Sequence, residues 1–98
     1  MNSDIETEAL DILQEECAEL IQAASKIKRF GIKSSNPELL DAKSNRYNLI
    51  QEMGDVLALI DILKNVYEIN DVILSAAKQN KLEKLTIYSN LKDYCPAE

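Results

Sequence analysis

The sequence predicts an all-α protein. Only two of its 98 residues are Gly and two are Pro, which is few for a chain of short strands joined by turns. Hydrophobic residues make up 46% of the chain and charged residues 29%, and the apolar positions recur at helical spacing. We therefore expect a single domain over residues 1–98, folded as a bundle of four main helices at about 4–30, 37–43, 45–67 and 71–91.

The first predicted helix begins at a capping-box pattern, Ser3 followed by Glu6, and ends before Gly31, a residue typical of a helix C-terminus. Three cations occupy its last part: Lys26, Lys28 and Arg29. We interpret them as partners of the helix dipole on a solvated surface, with a phosphate site as the alternative.

The later helices have weaker boundaries. Asn36 and Pro37 are typical of a helix start, and they predict the short helix over 37–43. A polar patch separates it from the long helix at 45–67, and residues 68–70 make the next turn. Asn70 is suited to cap the last helix, at 71–91, although the polar stretch at 78–84 leaves its continuity open.

Composition excludes several functional classes. A net charge of −6 argues against a nucleic-acid polymer as partner, because such partners are bound through basic patches. The chain has no His, so the common zinc sites and the Ser-His and Cys-His catalytic arrangements are ruled out. We expect Cys17 and Cys95 to be free thiols in a reducing compartment. The longest apolar run, 56–60, is too short to span a membrane, and we expect a cytoplasmic location.

Two groups of acids interrupt the apolar pattern. Glu15, Glu16 and Glu19 lie in the first helix, and Glu52 and Asp55 lie in the long helix. A helical wheel at about 100° per residue places Glu16 and Glu19 on an apolar arc and Glu15 outside it. That arc consists of Ile5, Ile12, Ala23 and Ile27. Glu52 and Asp55 fall on a second arc, made of Leu49, Val56, Leu59, Ile62, Leu63 and Val66.

Four inward carboxylates need cations, because burying an unpaired charge costs several kcal/mol. Either pair alone is best explained as a solvated acidic face. Both pairs have the same i, i+3 spacing inside an apolar stripe, and together they predict a metal site. An all-oxygen ligand set favours Mg²⁺, with Mn²⁺ as a possible substitute, and it disfavours zinc and the di-iron bundles.

The two acidic motifs are Glu15-Glu16-Cys17-Ala18-Glu19 and Glu52-Met53-Gly54-Asp55-Val56. Over about residues 8–66 the sequence resembles the MazG-like all-α nucleoside triphosphate pyrophosphohydrolases, which carry Glu-Glu-x-x-Glu on one helix and Glu-x-x-Asp on another. The resemblance implies Glu16, Glu19, Glu52 and Asp55 as Mg²⁺ ligands and catalytic residues. It also implies an assembly of dimers or tetramers, which suits a chain too short to bury much surface alone.

The implied reaction is hydrolysis of a nucleoside triphosphate between its α and β phosphates, giving a monophosphate and pyrophosphate, in a house-cleaning or nucleotide-pool role. The bound ion would neutralise the phosphates and lower the pKa of an attacking water. Glu15 is a further candidate, either orienting that water or remaining a surface acid.

Substrate recognition is less defined. The segment between the two motifs, residues 20–51, is longer than in compact members of the family, and it is expected to shape the base pocket. The resemblance suggests substrate-binding residues on the last helix, with Asn80 and Lys84 on the inward arc of Ile73, Ile87 and Leu91 and Lys81 at its edge, although surface lysines are an equal alternative. Tyr47 and Tyr88 are candidates for stacking on a base or for packing.

A second hypothesis remains from a different class. The chain would then be a non-catalytic helical protein, either a metal-stabilised oligomer or an adaptor whose acids bind a basic partner.

Overall fold

The fold is all-α in a computed structural model that describes residues 3–35 and 43–96. Helix α1 spans Ser3–Phe30, α2 spans Asn45–Val66 and α3 spans Asp71–Tyr88. A short 3₁₀ helix, η1, follows at Lys92–Tyr94. The described ranges contain no strand, so the predicted fold class is confirmed.

The chain divides into two compact units, Met1–Val66 and Tyr67–Glu98. The first unit contains α1 and α2, and the second contains α3 and η1. The single domain expected from the sequence remains a prediction. In neither described range is there a helix with the length and apolar character that crossing a membrane requires.

Local sequence signals set several helix ends correctly. Gly31 has φ +92°, a backbone conformation that favours glycine, and its N–H donates to the carbonyl of Ile27 at 2.8 Å, which ends α1. At the start of α3, the Asn70 side chain accepts a hydrogen bond from the backbone N–H of Val72 at 2.7 Å. The predicted C-cap and N-cap are both confirmed.

One expected helix lies almost wholly outside the described residues, and another ends earlier than predicted. The short helix at 37–43, with its cap at Asn36, lies outside the described residues except for Lys43, which is not helical. The last helix is continuous through the polar stretch but ends at Tyr88 instead of 91. It ends there because Ser89 turns to an extended conformation, φ −143° and ψ 176°, while its hydroxyl donates to the carbonyl of Leu85 at 2.7 Å.

Helices α1 and α2 form an antiparallel hairpin. Asn45, at the start of α2, contacts the end of α1, while Asp55, further along α2, interacts with Glu16, nearer the start of α1. The buried apolar residues of this hairpin are few: Ala9, Ala23, Leu59 and Val66. The buried apolar residues of α1 are thus both small, Ala9 and Ala23.

The buried stripe of α1 is rotated from the predicted arc. Ile5 and Ile12 are exposed, at 46% and 37%, whereas Ala9 is buried and Leu13 half-buried. On α2, Ile62 is likewise exposed at 45%. The wheel was wrong at these positions because apolarity alone does not say which part of a broad apolar face meets the neighbouring helix.

Asn45 joins the start of α2 to the end of α1 at the loop end of the hairpin. Its side-chain amide donates to the carbonyl of Gly31 at 2.9 Å and, at a longer 3.4 Å, to that of Lys26. Next to it, the backbone N–H groups of Asn45 and Arg46 donate to the carbonyls of Ser34 and Ile32 at 2.7 and 2.8 Å. Asn45 is the buried polar residue of the described chain, at 8% exposure, and these bonds satisfy its donors.

We predict that Asn45→Ala destabilises the hairpin. Removing a buried donor that serves backbone carbonyls costs about 1–3 kcal/mol. Urea unfolding followed by circular dichroism measures the change in the free energy of unfolding. The matched control is Asn65→Ala, because Asn65 is exposed on the same helix and surface substitutions change stability by no more than about 0.5 kcal/mol. Equal effects of the two substitutions would contradict this role of Asn45.

Candidate metal centre

Four acidic side chains converge in the hairpin. Each offers one carboxylate oxygen, and the four oxygens all lie within 4.8 Å of one another: Glu16, Glu19, Glu52 and Asp55. These are the four residues that the sequence analysis predicted as metal ligands. The structure therefore brings the two motifs together in space.

The antiparallel arrangement explains this convergence. In each helix the two acids are three residues apart, so they lie on one face, nearly one turn from each other. Because the helices run in opposite directions, Glu16 lies opposite Asp55 and Glu19 lies opposite Glu52, and the members of each pair interact electrostatically. Two equal spacings on antiparallel helices thus produce a four-cornered set of carboxylates.

The four carboxylates differ in exposure. Glu16 and Glu52 are half-buried, and the Oε2 atom of each is buried with no hydrogen-bond partner within the described part of the chain. Glu19 and Asp55 are exposed. The cluster therefore has an inner pair, Glu16 and Glu52, and an outer pair, Glu19 and Asp55, that solvent or a ligand reaches directly.

The inner pair has perturbed proton affinity. Desolvation is the main cause that raises the pKa of Glu16, followed by the charges of Glu19, Asp55 and Glu52. Desolvation also leads for Glu52, whose pKa is raised further by its hydrogen bond to Glu19 and by the charges of Glu19 and Asp55. Without a cation, both carboxyls thus retain protons to a higher pH than an ordinary Glu.

The donor set fits a hard divalent cation. In octahedral Mg²⁺, ligand oxygens at about 2.0–2.1 Å from the ion stand roughly 3–4 Å apart, and Ca²⁺ distances are a few tenths of an ångström longer. An oxygen spread of 4.8 Å needs only a small closure of the side chains around such an ion. Glu16 and Glu52 also each have a buried Oε2 atom without a hydrogen-bond partner in the described chain, so the residues present suit the ion.

The other predicted site residues lie outside this cluster. Glu15 is exposed on α1 and does not belong to the four-oxygen set, in agreement with its position on the wheel. Asn80, Lys81 and Lys84 are exposed on α3, in the second unit, and their roles remain predictions. The arc that they were expected to share is exposed too, with Ile73 at 69% and Ile87 at 73%. The inward orientation was wrong because the half-buried stripe of α3 is Leu74, Gln79, Leu82, Leu85.

The two tyrosines are also exposed. Tyr88 is 83% exposed, so packing does not explain it in the described chain. Tyr47 is 45% exposed, and the ammonium of Lys43 lies 5.7 Å from the centre of its ring. That distance suits a cation–π contact.

A cavity adjoins the carboxylates, and the sequence analysis missed it. Its volume is about 260 Å³, and Glu19 and Glu52 form one end of it. Among the described residues, the rest of the lining comes from the parts of α1 and α2 nearer the interhelical loop: Gln22, Ala23, Lys26, Asn45 and Asn48. The available signal was spacing, since Gln22 and Lys26 follow Glu19 by three and seven residues, and Asn48 and Asn45 precede Glu52 by four and seven.

No protein-family model, curated protein or solved structure matches the chain. The likeness to the MazG-like enzymes therefore depends on the two motifs. The geometry of the four carboxylates is an independent observation.

We predict that the cation-free protein loses stability as the pH rises above about 4.5, the ordinary value from which the pKa values of Glu16 and Glu52 are raised. In this range the native state holds more protons than the unfolded state, so raising the pH through the raised pKa values favours unfolding. Denaturant unfolding in a chelator at a series of pH values measures the trend.

At pH 7, Mg²⁺ at 100 times its dissociation constant should restore about 2.7 kcal/mol of stability. Stability that rises steadily from pH 4.5 to 7 in the chelator, with no response to divalent cations, would contradict the assigned origin of the pKa shifts.

We predict opposite effects of Glu16→Gln on stability and on metal binding. The amide removes a desolvated charge and its repulsion, so the cation-free variant should unfold at higher denaturant concentration than the wild type at pH 7. Loss of a ligand should weaken Mn²⁺ binding at least about tenfold. Substitution of a residue that only hydrogen-bonds to a metal ligand already lowers metal affinity by about that factor. Calorimetry measures the binding. Glu8→Gln is the matched control, an exposed acid on α1 outside the cluster, and should change neither quantity.

Proposed function

We propose that the protein is a Mg²⁺-dependent nucleoside triphosphate pyrophosphohydrolase that converts a (d)NTP and water to a (d)NMP and pyrophosphate. The observation that carries the proposal is the convergence of four carboxylate oxygens from two helices within 4.8 Å. Their arrangement as two i, i+3 pairs, in motifs similar to those of the MazG-like enzymes, supports this function over other uses of a divalent cation.

The electrostatics of the cluster support a cation with a phosphorylated ligand. When all four are ionised, the carboxylates carry four negative charges, and desolvation together with these neighbouring charges raises the pKa values of Glu16 and Glu52 in the absence of an ion. A divalent cation offsets half of this charge and has room for further oxygen ligands, such as water and phosphate. A nucleoside triphosphate is a natural ligand for such a site because its own oxygens bind Mg²⁺.

The inner and outer pairs suit different tasks. Glu16 and Glu52, with their orphaned oxygens, are placed to hold the ion from within the hairpin. Glu19 and Asp55 are exposed, so their carboxylates border the substrate as well as the ion. When bound, Mg²⁺ would neutralise the phosphates and favour a hydroxide nucleophile at neutral pH.

Glu15 projects from the exposed side of α1 and is the candidate to orient water. The resemblance suggests Asn80, Lys81 and Lys84 as substrate-binding residues; all three are exposed on α3, and two of them carry positive charge.

The proposal includes a homo-oligomer. On α2, Ile50, Met53 and Leu57 follow one another at helical spacing, and their exposures are 45%, 48% and 60%. On α1, Leu10 and Ile21 are exposed at 41% and 67%. They lie on one face of the helix, because eleven residues make about three turns. Burying such stripes against another copy would supply the hydrophobic area that a small hairpin lacks.

We predict that the purified protein releases pyrophosphate from at least one common nucleoside triphosphate when Mg²⁺ is present. Glu19→Ala and Asp55→Ala should lower kcat/KM by at least about 100-fold, the scale of removing one electrostatic stabiliser from an active site. Both residues are exposed, so circular dichroism should show an unchanged fold. Asp11→Ala is the control, because Asp11 is an exposed acid of α1 outside the cluster.

Full activity in the Glu19 and Asp55 variants would reject the proposed site. If no triphosphate is hydrolysed and none binds in calorimetry, while Mg²⁺ still binds, the protein is instead a non-catalytic metal-binding helical protein.

The variant Glu15→Gln distinguishes the two roles expected for Glu15, orienting water or remaining a surface acid. A lower kcat with unchanged metal affinity assigns Glu15 to the reaction, and unchanged kinetics assign it to the surface.

A further inference from the structure

The cavity beside the carboxylates has a distinct chemical character. One end carries the acids Glu19 and Glu52, and the opposite part includes Lys26. Between them lie the amides of Gln22 and Asn48, and Ala23 contributes only a methyl group. An amide offers both hydrogen-bond donors and an acceptor, so this lining suits a polar, uncharged group.

From these observations we propose that the cavity binds the base and sugar of the substrate, and that Gln22 and Asn48 determine which base is preferred. The inference rests on the proposed function, since it takes the substrate to be a nucleotide whose phosphates bind at the carboxylate cluster. It adds the orientation of that nucleotide, with its base directed toward the interhelical loop.

Size favours a nucleoside over a whole nucleotide. The volume of about 260 Å³ lies just below the range of roughly 300–1,000 Å³ that encloses a drug-sized ligand. From Glu19 to Lys26 is seven residues, or about 10 Å along the helix axis. A base with its sugar can occupy this length, while the triphosphate remains at the cluster.

Charge favours the same orientation. A divalent cation bound among the four carboxylates would attract phosphate to the cluster. Beyond that end, the described lining of the cavity carries one cation, the ammonium of Lys26, and the neutral amides of Gln22, Asn45 and Asn48. The β and γ phosphates, with several negative charges, are attracted more strongly by a divalent cation than by one ammonium, so the uncharged base is the part that enters the cavity.

Two side chains are suited to read the base. Asn48 is half-buried in the cavity, and Gln22 faces it from the opposite helix. Each amide can pair with a donor and an acceptor on the edge of a base, as Asn and Gln do with bases in nucleic acids. Asn45 is less suited, since its amide group donates to the carbonyls of Gly31 and Lys26. Lys26 adds a donor for a base carbonyl.

The test replaces each amide with an apolar side chain of similar size, Asn48→Leu and Gln22→Met. Binding is measured by calorimetry with Mg²⁺ and the α,β-imido analogues of the four deoxynucleoside triphosphates, and hydrolysis is measured with the triphosphates themselves. The controls are Asn65→Leu and Gln14→Met, the same substitutions at exposed positions of α2 and α1 outside the cavity. Gln22 is exposed, so its variant tests the proposal even if Asn48→Leu fails to fold.

We expect the preference between the best and worst base to fall by about tenfold or more in both cavity variants, because a base edge then loses its hydrogen-bond partner. The control variants should keep the wild-type order of bases. An unchanged order in the cavity variants would overturn the inference while leaving pyrophosphate release intact.

The inference and the proposed function fail differently. Analogues that bind with a base preference sensitive to Gln22 and Asn48, without any hydrolysis, would reject the enzyme and retain the cavity as a nucleotide site. No binding of any analogue by the folded wild-type protein would reject both.

Discussion

The placement of two carboxylates between packed helices is the constraint on which the hairpin depends. Glu16 and Glu52 occupy positions that an apolar side chain would fill at lower cost, and each has a buried oxygen without a hydrogen-bond partner. Desolvation and the neighbouring acids raise the pKa values of both. The carboxylates of Glu16 and Glu52 thus lower the folding stability of the hairpin, as the residues of binding sites commonly do. A cation would relieve this cost, which couples ligand binding to folding.

The loop end of the hairpin determines whether the acids meet. Glu52 and Asp55 face Glu16 and Glu19 only while α2 keeps its register on α1, since a shift of one residue rotates each side chain by about 100°. Asn45 fixes that register through its bonds to the carbonyls at the end of α1. The cavity lies between the bonds of Asn45 and the carboxylate cluster, so α1 and α2 contact each other at both ends of it. The lining residues Gln22, Lys26, Asn45 and Asn48 all come from residues 20–51, the segment between the two acidic motifs.

Burial in the hairpin is shallow, and its surface reflects this. The buried apolar residues of the described chain are four in number, and two of them are alanines. Apolar stripes on the outer sides of α1 and α2 are exposed at the same time. A small buried core together with exposed apolar stripes suits the assembly that we propose. In that assembly the acids lie on one face of the hairpin, and the apolar stripes pack against another copy.

The sequence by itself determined the helical class, the approximate bounds of three helices, and the four acids whose carboxylates converge. These features depend on local physics: few Gly and Pro residues, caps such as Asn70, and a spacing of three residues that puts two side chains on one helix face. The sequence did not reveal which part of each apolar face is buried, as Ile5, Ile12 and Ile62 show. Nor did it indicate the stop of α3 at Tyr88 or the cavity beside the acids. Only the tertiary structure decided these, because they depend on the register and rotation of one helix against another. Contacts between residues far apart in the chain, such as those of Asn45, determine this register and this rotation.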